Sequence, residues 1–235
     1  MLCQDFWNKY FKVYDVLNLV IPYQDLLKEI VREADIKKGD LVLDAGIGTG
    51  NLVPLLEKQG VRIIGLDFSQ EALNICKKKN PNIQVILHDL TQKLPFSDNY
   101  FDKIISNNAV YNIPRKKRLE TIIELKRVLR PGGKIVLSNL HREFKPIKIY
   151  LATIKENLKR FGFLKTLKLV IKMAMPTIKM FYYNFFIQKE YKFSKQNLFN
   201  INEQKELFKQ AGFNNISETK LVYANQGILN SVIKV

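Results

Sequence analysis

The chain has 235 residues, of which 46% are hydrophobic and 26% charged, with 11 Gly, 8 Pro, two cysteines and a formal net charge of +16. That size suits one α/β domain with elaborations, and the composition excludes a disordered or low-complexity protein. A membrane-spanning helix is also excluded, because the nearest candidate, Ala174 to Ile187, contains Pro176 and Lys179 and falls short of the roughly 20 apolar residues such a helix needs.

The chain opens on MLCQDFWNKYF, acidic and aromatic where an export signal is basic and then apolar, and its cysteines are the isolated Cys3 and Cys76. A reduced, cytosolic protein is expected. Trp7, Tyr10, Phe11 and Tyr14 recur at i, i+3, i+4, i+7, the pattern of an amphipathic helix. Strand signals follow at Leu41 to Leu43, Arg62 to Leu66, Ile83 to Leu87, Lys103 to Ser106 and Lys134 to Ser138. Between them lie helical patterns at Leu52, Leu55 and Leu56, at Ala72, Leu73 and Cys76, and at Leu119, Ile122, Ile123 and Leu125 closed by Val128 and Leu129. Strands alternating with helices predict a parallel sheet covered on both faces.

After the fifth strand signal, Leu151, Ile154, Leu158 and Phe161, then Leu164, Leu167 and Ile171, alternate with Lys155, Lys159, Lys165, Lys168 and Lys172, which predicts basic amphipathic helices. The chain ends with a helix near Glu203 to Ala211, Gly212 as a left-handed stop, and strand-like runs at Asn215 to Glu218 and Leu229 to Val235. The charge is uneven: residues 142–235 carry 17 Lys+Arg against 6 Asp+Glu, and Arg142 to Lys189 alone is +9. This predicts attraction to an anionic lipid surface, a nucleic acid or an acidic substrate, unless it is a solvated cationic face.

LVLDAGIGTGN places Asp44 at the end of an apolar strand, then Gly46, Gly48 and Gly50 leading into a helix. Glycines there allow positive φ and let backbone N–H groups approach a small ligand. Asp44 offers a carboxylate to a cationic amine. Asp67 ends the second strand, where an acidic side chain can accept from both ribose hydroxyls of a nucleoside. A nicotinamide dinucleotide is disfavoured, since G-x-G-x-x-G counted from Gly46 needs a glycine where Asn51 stands.

The spacing D-x-G-x-G-x-G resembles the first motif of class I S-adenosylmethionine-dependent methyltransferases. Gly65 to Ser69 resembles that family's second-strand segment. His88, Asp89, Leu90, then Leu94, Pro95, Phe96, Asp98, Phe101 and Asp102 resemble its G-D-A, L-P-F, F-D stretch, with His88 in place of glycine and Leu90 in place of alanine. Arg127 to Gly133 is similar to the R-V-L-K-P-G-G turn of the branch holding quinone-biosynthesis and lipid methyltransferases, and Tyr14, Asp15 and Asn18 to that branch's Y-D-x-x-N lead-in. The resemblance covers residues 10 to 141 closely and the last thirty loosely.

It implies a doubly wound, mostly parallel seven-stranded sheet with an N-terminal helical lid and a helical insertion after the fifth strand. The implied divisions are 1–36 (helices closing over the cofactor), 37–141 (cofactor-binding core), 142–198 (basic lid) and 199–235 (last helix and final two strands). It implies S-adenosylmethionine held by Tyr14, Asp44, Ala45, Gly46, Gly48, Asp67, Phe68, Asp89, Leu90 and Asn107. His141, which follows the fifth strand, and Tyr14 are the candidate catalytic groups, with Asn108 and Tyr111 as further candidates for taking a proton. No His/Cys cluster has metal-ligand spacing.

The expected acceptor is a small amphipathic or lipid-like molecule met at an anionic membrane, at the inner face, through residues 142–189. There the basic helices are joined by Met173, Met175, Met180, Phe181, Tyr182, Tyr183, Phe185 and Phe186. The alternatives are an RNA methyltransferase, which the lack of an N-P-P-Y motif at Ser106 to Ala109 disfavours, and a non-catalytic S-adenosylmethionine-binding module.

Overall fold

The computed structural model describes residues 4–190 and 197–235, with the side chains of 4–8, 184 and 186–190 left out. Cys3, the Trp7 side chain and the Phe186 side chain therefore lie outside the described residues. Helices α1 (Gln4–Tyr14) and α2 (Ile21–Ala34) precede β1 (Leu41–Ala45), α3 (Val53–Glu57), β2 (Arg62–Asp67), α4 (Gln70–Lys79), β3 (Gln84–Leu87), β4 (Phe101–Asn107), α5 (Arg115–Val128) and β5 (Leu129–Leu140). There follow α6 (Pro146–Glu190), α7 (Glu203–Gln210), β6 (Asn215–Ile216), β7 (Lys220–Val222) and β8 (Gly227–Ile233).

The strands make one sheet in the order β3-β2-β1-β4-β5-β8-β6, with β7 also on β8. The pairs among β1 to β5 are parallel, and β8 runs antiparallel to β5, β6 and β7. This is the predicted doubly wound sheet, with eight strands where seven were expected. The extra one arises because the edge beside β8 is split. Ser217 N–H still donates to Ser231 O (2.8 Å), but Asn230 Nδ2 donates to Ser217 O (3.2 Å) and Thr219 Oγ1 (3.0 Å), and Ser231 N–H to Ser217 Oγ (2.8 Å), so side chains take over from the regular ladder between β6 and β7.

Successive strand residues face opposite sides. Leu43, Ile104, Ile135 and Leu137 pack with Ile122, Leu125 and Val128 of α5 and Phe208 of α7, whereas Val42, Ile105 and Val136 pack with Leu26, Leu27 and Ile30 of α2. Ile123, expected on the buried face of α5, is half-exposed. Residues Ile122, Leu125 and Val128 fill the stripe turned to the sheet, and Ile123 sits one residue, about 100°, away from it.

A larger correction concerns α6. Gly162, at φ 76° and ψ 179°, breaks it into two helical segments. The buried side chains of α6 are Ile149, Thr153, Asn157, Thr166, Met173 and Met180, and the predicted stripe of Leu151, Leu158, Phe161, Leu164, Leu167 and Ile171 is exposed.

A buried amide network ties this frame to the loop after β4. Gln204 Nε2 donates to Leu137 O (3.0 Å) and Asn230 Oδ1 (3.1 Å), Asn139 Nδ2 donates to Gln204 Oε1 (2.8 Å), and Tyr111 N–H donates to Asn139 Oδ1 (3.1 Å). Gln204→Leu removes every partner Gln204 supplies while keeping similar bulk. It is expected to cost about 3 kcal/mol in urea unfolding, since each orphaned buried polar group costs roughly 1–3 kcal/mol.

Candidate cofactor and acceptor site

Sheet order reverses between β1 and β4, and a crevice opens at the carboxyl ends of the strands there. The turn after β1 crosses the end of β2, with Gly46 N–H (2.8 Å) and Ile47 N–H (2.9 Å) both donating to Leu66 O. Gly46 has φ 89°, and a Cβ on it would fall 2.3 Å from Ala109 Cβ, so no side chain fits. Gly48 N–H donates to Asp67 Oδ2 (2.9 Å) and Ser69 N–H to Asp67 Oδ1 (2.9 Å), which aims the carboxylate of Asp67 from the end of β2. Ser69 also caps α4, its Oγ accepting from Ala72 N–H (3.2 Å).

These elements enclose a cavity of about 410 Å³, within the range of small-molecule sites. Of the predicted residues, Tyr14, Asp44, Gly46, Gly48, Asp67, Phe68, Asp89, Leu90 and Asn107 line it. Ala45 does not; it is fully buried in β1 and its carbonyl accepts from Ser106 Oγ (2.7 Å). His141 does not line it either. Its Nε2 donates to Asn225 O (2.7 Å) and its Nδ1 accepts from Glu143 N–H (3.1 Å), so both ring nitrogens are engaged by backbone and the side chain joins the end of β5 to the turn before β8. A base taking a proton in the cavity needs a nitrogen directed there, and His141 offers none.

The N-terminal helices close the cavity. Phe11 lies over Gly48 and packs with Ala72. Thr49 Oγ1 donates to Asp15 Oδ1 (2.7 Å), Asn18 Nδ2 donates to Asn51 Oδ1 (2.9 Å), and Lys79 pairs with Asp15 (2.9 Å). The Tyr14-Asp15-Asn18 segment is thus fastened to the glycine turn itself. The lining also includes Tyr23, Tyr111, Ile113 and Pro114 with Asn108, Asn112, Arg115 and Asn197. Asn108 and Tyr111 are among the sequence-derived candidates; Tyr23, Arg115 and Asn197 carry no local motif and arrive from three separate elements.

The site is electrostatically unbalanced. Burial, reinforced by the neighbouring Asp67, pushes the Asp44 carboxyl up to about 7. Burial pushes Asp67 up to about 6, opposed by the backbone N–H groups of Ser69, Gly48 and Phe68. Tyr23 and Tyr111 are pushed up to about 12 by burial, and Tyr14 is raised well above its usual value. Side-chain atoms of His88 (Nε2), Asn107 (Oδ1) and Asn108 (Oδ1), all of cavity residues, are buried without a partner.

S-adenosylmethionine fits this arrangement. It is a cationic nucleoside, and the cavity sets two buried carboxyls, Asp44 and Asp67, beside buried amide atoms without partners.

A sheet of this order with such a crevice defines an α/β enzyme that grips a nucleoside-type cofactor. Residues 43–137 match the methyltransferase-domain family model. The chain is 32% identical over 216 residues to the demethylmenaquinone methyltransferase of Staphylococcus saprophyticus, covering 86% of this chain and 84% of that one. Its fold is shared with a SAM-dependent methyltransferase from Aquifex aeolicus (TM-score 0.61, 19% identity, 94% and 93% covered). A putative S-adenosylmethionine-dependent methyltransferase from Methanococcus maripaludis shares it too (TM-score 0.61, 21% identity, 98% and 94% covered). The chain belongs to the class I S-adenosylmethionine-dependent methyltransferases, and within them it is related to the quinone-biosynthesis enzymes. It is an enzyme that uses S-adenosylmethionine, which sets aside the non-catalytic module.

The raised Asp44 carboxyl gives a stability prediction. Its folded value of about 7 lies above the unfolded one, so its contribution is fully present below about pH 4 and is lost as pH rises through 7. Ligand-free Asp44→Asn is expected to be more stable than the parent at pH 8, by at least about 1 kcal/mol. Thermal unfolding at pH 5 and 8 should show a shallower decline for the variant.

Proposed function

We propose that this enzyme methylates a lipid-like, quinone-type small molecule, met at an anionic membrane surface through residues 142–189. The carrying observation is the part of the cavity lining that the cofactor motifs do not account for. It includes Tyr23, Tyr111, Ile113 and Pro114, and its polar groups are amides, phenols and Arg115. An apolar ring carrying hydroxyl groups suits such a lining. The name of the Staphylococcus saprophyticus relative, a demethylmenaquinone methyltransferase, points the same way.

In this reading Asp44, Ala45, Gly46, Gly48 and Tyr14 hold the amino-acid end of the cofactor, Ala45 through its backbone. Asp67 and Phe68 take the ribose and adenine border, and Asp89, Leu90 and Asn107 complete the pocket. Segment 1–36 closes over the cofactor, 37–141 with 199–235 form the body, and 142–198 is the lid. When bound, S-adenosylmethionine supplies a methyl group on a sulfonium, an electrophile that needs no further activation.

The chain's own residues then have to orient the acceptor. Tyr23 and Tyr111, pushed to about 12, remain protonated at neutral pH and act as donors to acceptor oxygens. The unpartnered Asn108 Oδ1 accepts from an acceptor hydroxyl, drawing electron density toward the ring. A hydroquinone ring is nucleophilic at the carbon beside its hydroxyl, so positioning supplies the rate and the displaced ring proton passes to water.

Two measurements test this. Methyl-labelled S-adenosylmethionine incubated with the enzyme and either a reduced, prenylated demethylated naphthoquinone or bulk tRNA should place label in the organic phase; label in tRNA alone would replace the reading with RNA methylation. Cofactor affinity by calorimetry should weaken as pH falls below about 7, approaching tenfold per pH unit as Asp44 protonates, and Asp44→Asn should flatten that dependence.

A further inference from the structure

The two segments of α6 form a hairpin. Tyr150, early in the first, and Phe181, late in the second, bring their ring centroids to 5.9 Å, so the chain doubles back after Gly162. Ile149, Met173 and Met180 join one cluster with Val16, Leu17, Val20 and Tyr23. Both segments therefore lie on the layer formed by the chain after α1 and by α2. Each segment has three faces. In the first, Ile149, Thr153 and Asn157 pack inward, Ile147, Leu151, Leu158 and Phe161 form an exposed apolar stripe, and Lys148, Lys155 and Lys159 run along its outer edge. The second repeats this, with Leu167, Val170, Ile171 and Ile178 in the exposed stripe and Lys168, Lys172 and Lys179 beside it.

The tip is the most apolar point. Phe161, Phe163 and Leu164 are 51%, 68% and 73% exposed around Gly162, flanked by Lys159, Arg160 and Lys165. A monomer that leaves so continuous an apolar band in water incurs a large cost unless something covers it.

Resting on the lipid-like acceptor of the preceding section, we propose that this hairpin is a membrane-docking device for anionic bilayers. Its tip residues Phe161, Phe163 and Leu164 enter the acyl boundary, and the lysine edges lie among phosphate headgroups. Charge selects this occupant: a second copy would bring one +9 segment against another, whereas an anionic leaflet neutralises it. No helix among the described residues is long and apolar enough to cross a membrane, so the hairpin lies at the interface. The layer beneath it includes Tyr23, which also lines the cavity, and α1, which contacts α6, carries the cavity residues Tyr10 and Tyr14.

The test is flotation of the full chain with phosphatidylglycerol/phosphatidylcholine vesicles and with phosphatidylcholine alone, a readout independent of any acceptor. Binding to the anionic vesicles is expected, with salt weakening it. The exposed triple variant Phe163→Ser, Leu164→Ser, Ile171→Ser should lose at least tenfold in vesicle affinity while binding S-adenosylhomocysteine as the parent does. Lys165→Gln, Lys168→Gln and Lys172→Gln should each cost roughly fivefold. Failure of the parent to float at low salt, or unchanged flotation of the triple variant, would overturn the docking proposal and the membrane contact of the preceding section, and would leave the chemical class of the methyl acceptor to its own labelling test. A parent that is dimeric by light scattering, and monomeric as the triple variant, would overturn it in favour of a second copy; binding of tRNA in place of vesicles would do so in favour of RNA.

Discussion

The site depends on one close approach. The loops after β1 and β4 diverge from neighbouring parallel strands, and at their nearest point Gly46 meets Ala109 with no room for a Cβ. With Gly46 and Ile47 both bonded to Leu66 O, three strand ends are held together: β1 by its own continuation, β2 by its carbonyl and β4 by contact. Asp44, Asp67 and Asn107 project from those three ends. Moving any one of them requires breaking the parallel sheet below, which is why short polar side chains on irregular loops can act as a fixed receptor.

The receptor is built at an electrostatic disadvantage that its ligand removes. Burial and the neighbouring Asp67 disfavour ionisation of Asp44, and the protein supplies backbone N–H groups to Asp67. The two carboxyls are therefore unequal: Asp67 is fixed by donors, and Asp44 carries the larger unfavourable burial. Asp15, Asn18, Thr49, Asn51 and Lys79 form a small polar cluster over the glycine turn, in which the Asp15–Lys79 pair is partly exposed and Thr49 is buried.

The cofactor half was legible because each of its residues is announced by local physics. Acidic residues stand where apolar runs end, and glycines where the backbone turns to positive φ, so Asp44, Gly46, Gly48, Asp67 and Asp89 could be placed without tertiary information. The rest of the cavity lining has no such signal. Tyr23 sits inside an ordinary amphipathic helix, Arg115 opens one, and Asn197 follows α6; only folding brings them to one cavity. His141 was misassigned because scarcity and position after a strand do not report which way a ring points. The stripe on α6 shows the limit of periodicity most clearly: spacing identifies an apolar face and leaves open what that face meets. β7 escaped notice because Lys220–Val222 is too short to alternate, and its strand character comes from β8.

One buried side chain joins the loop after β4 to the segment starting at Asn197. Arg118 is buried, stacks 4.5 Å over Phe199, and donates to Tyr111 O (2.9 Å), Ile113 O (3.0 Å) and Asn197 O (2.5 Å). Burial lowers its guanidinium to about 10, still charged at neutral pH, so the three carbonyls receive charge-assisted bonds. A guanidinium can serve three carbonyls only where its planar fork matches their positions, and a lysine at the same place would leave at least one of them without a donor inside the core. The loop carrying Tyr111 and Ile113 and the segment starting at Asn197, both of which line the cavity, are therefore held as one piece by a side chain that α5 supplies.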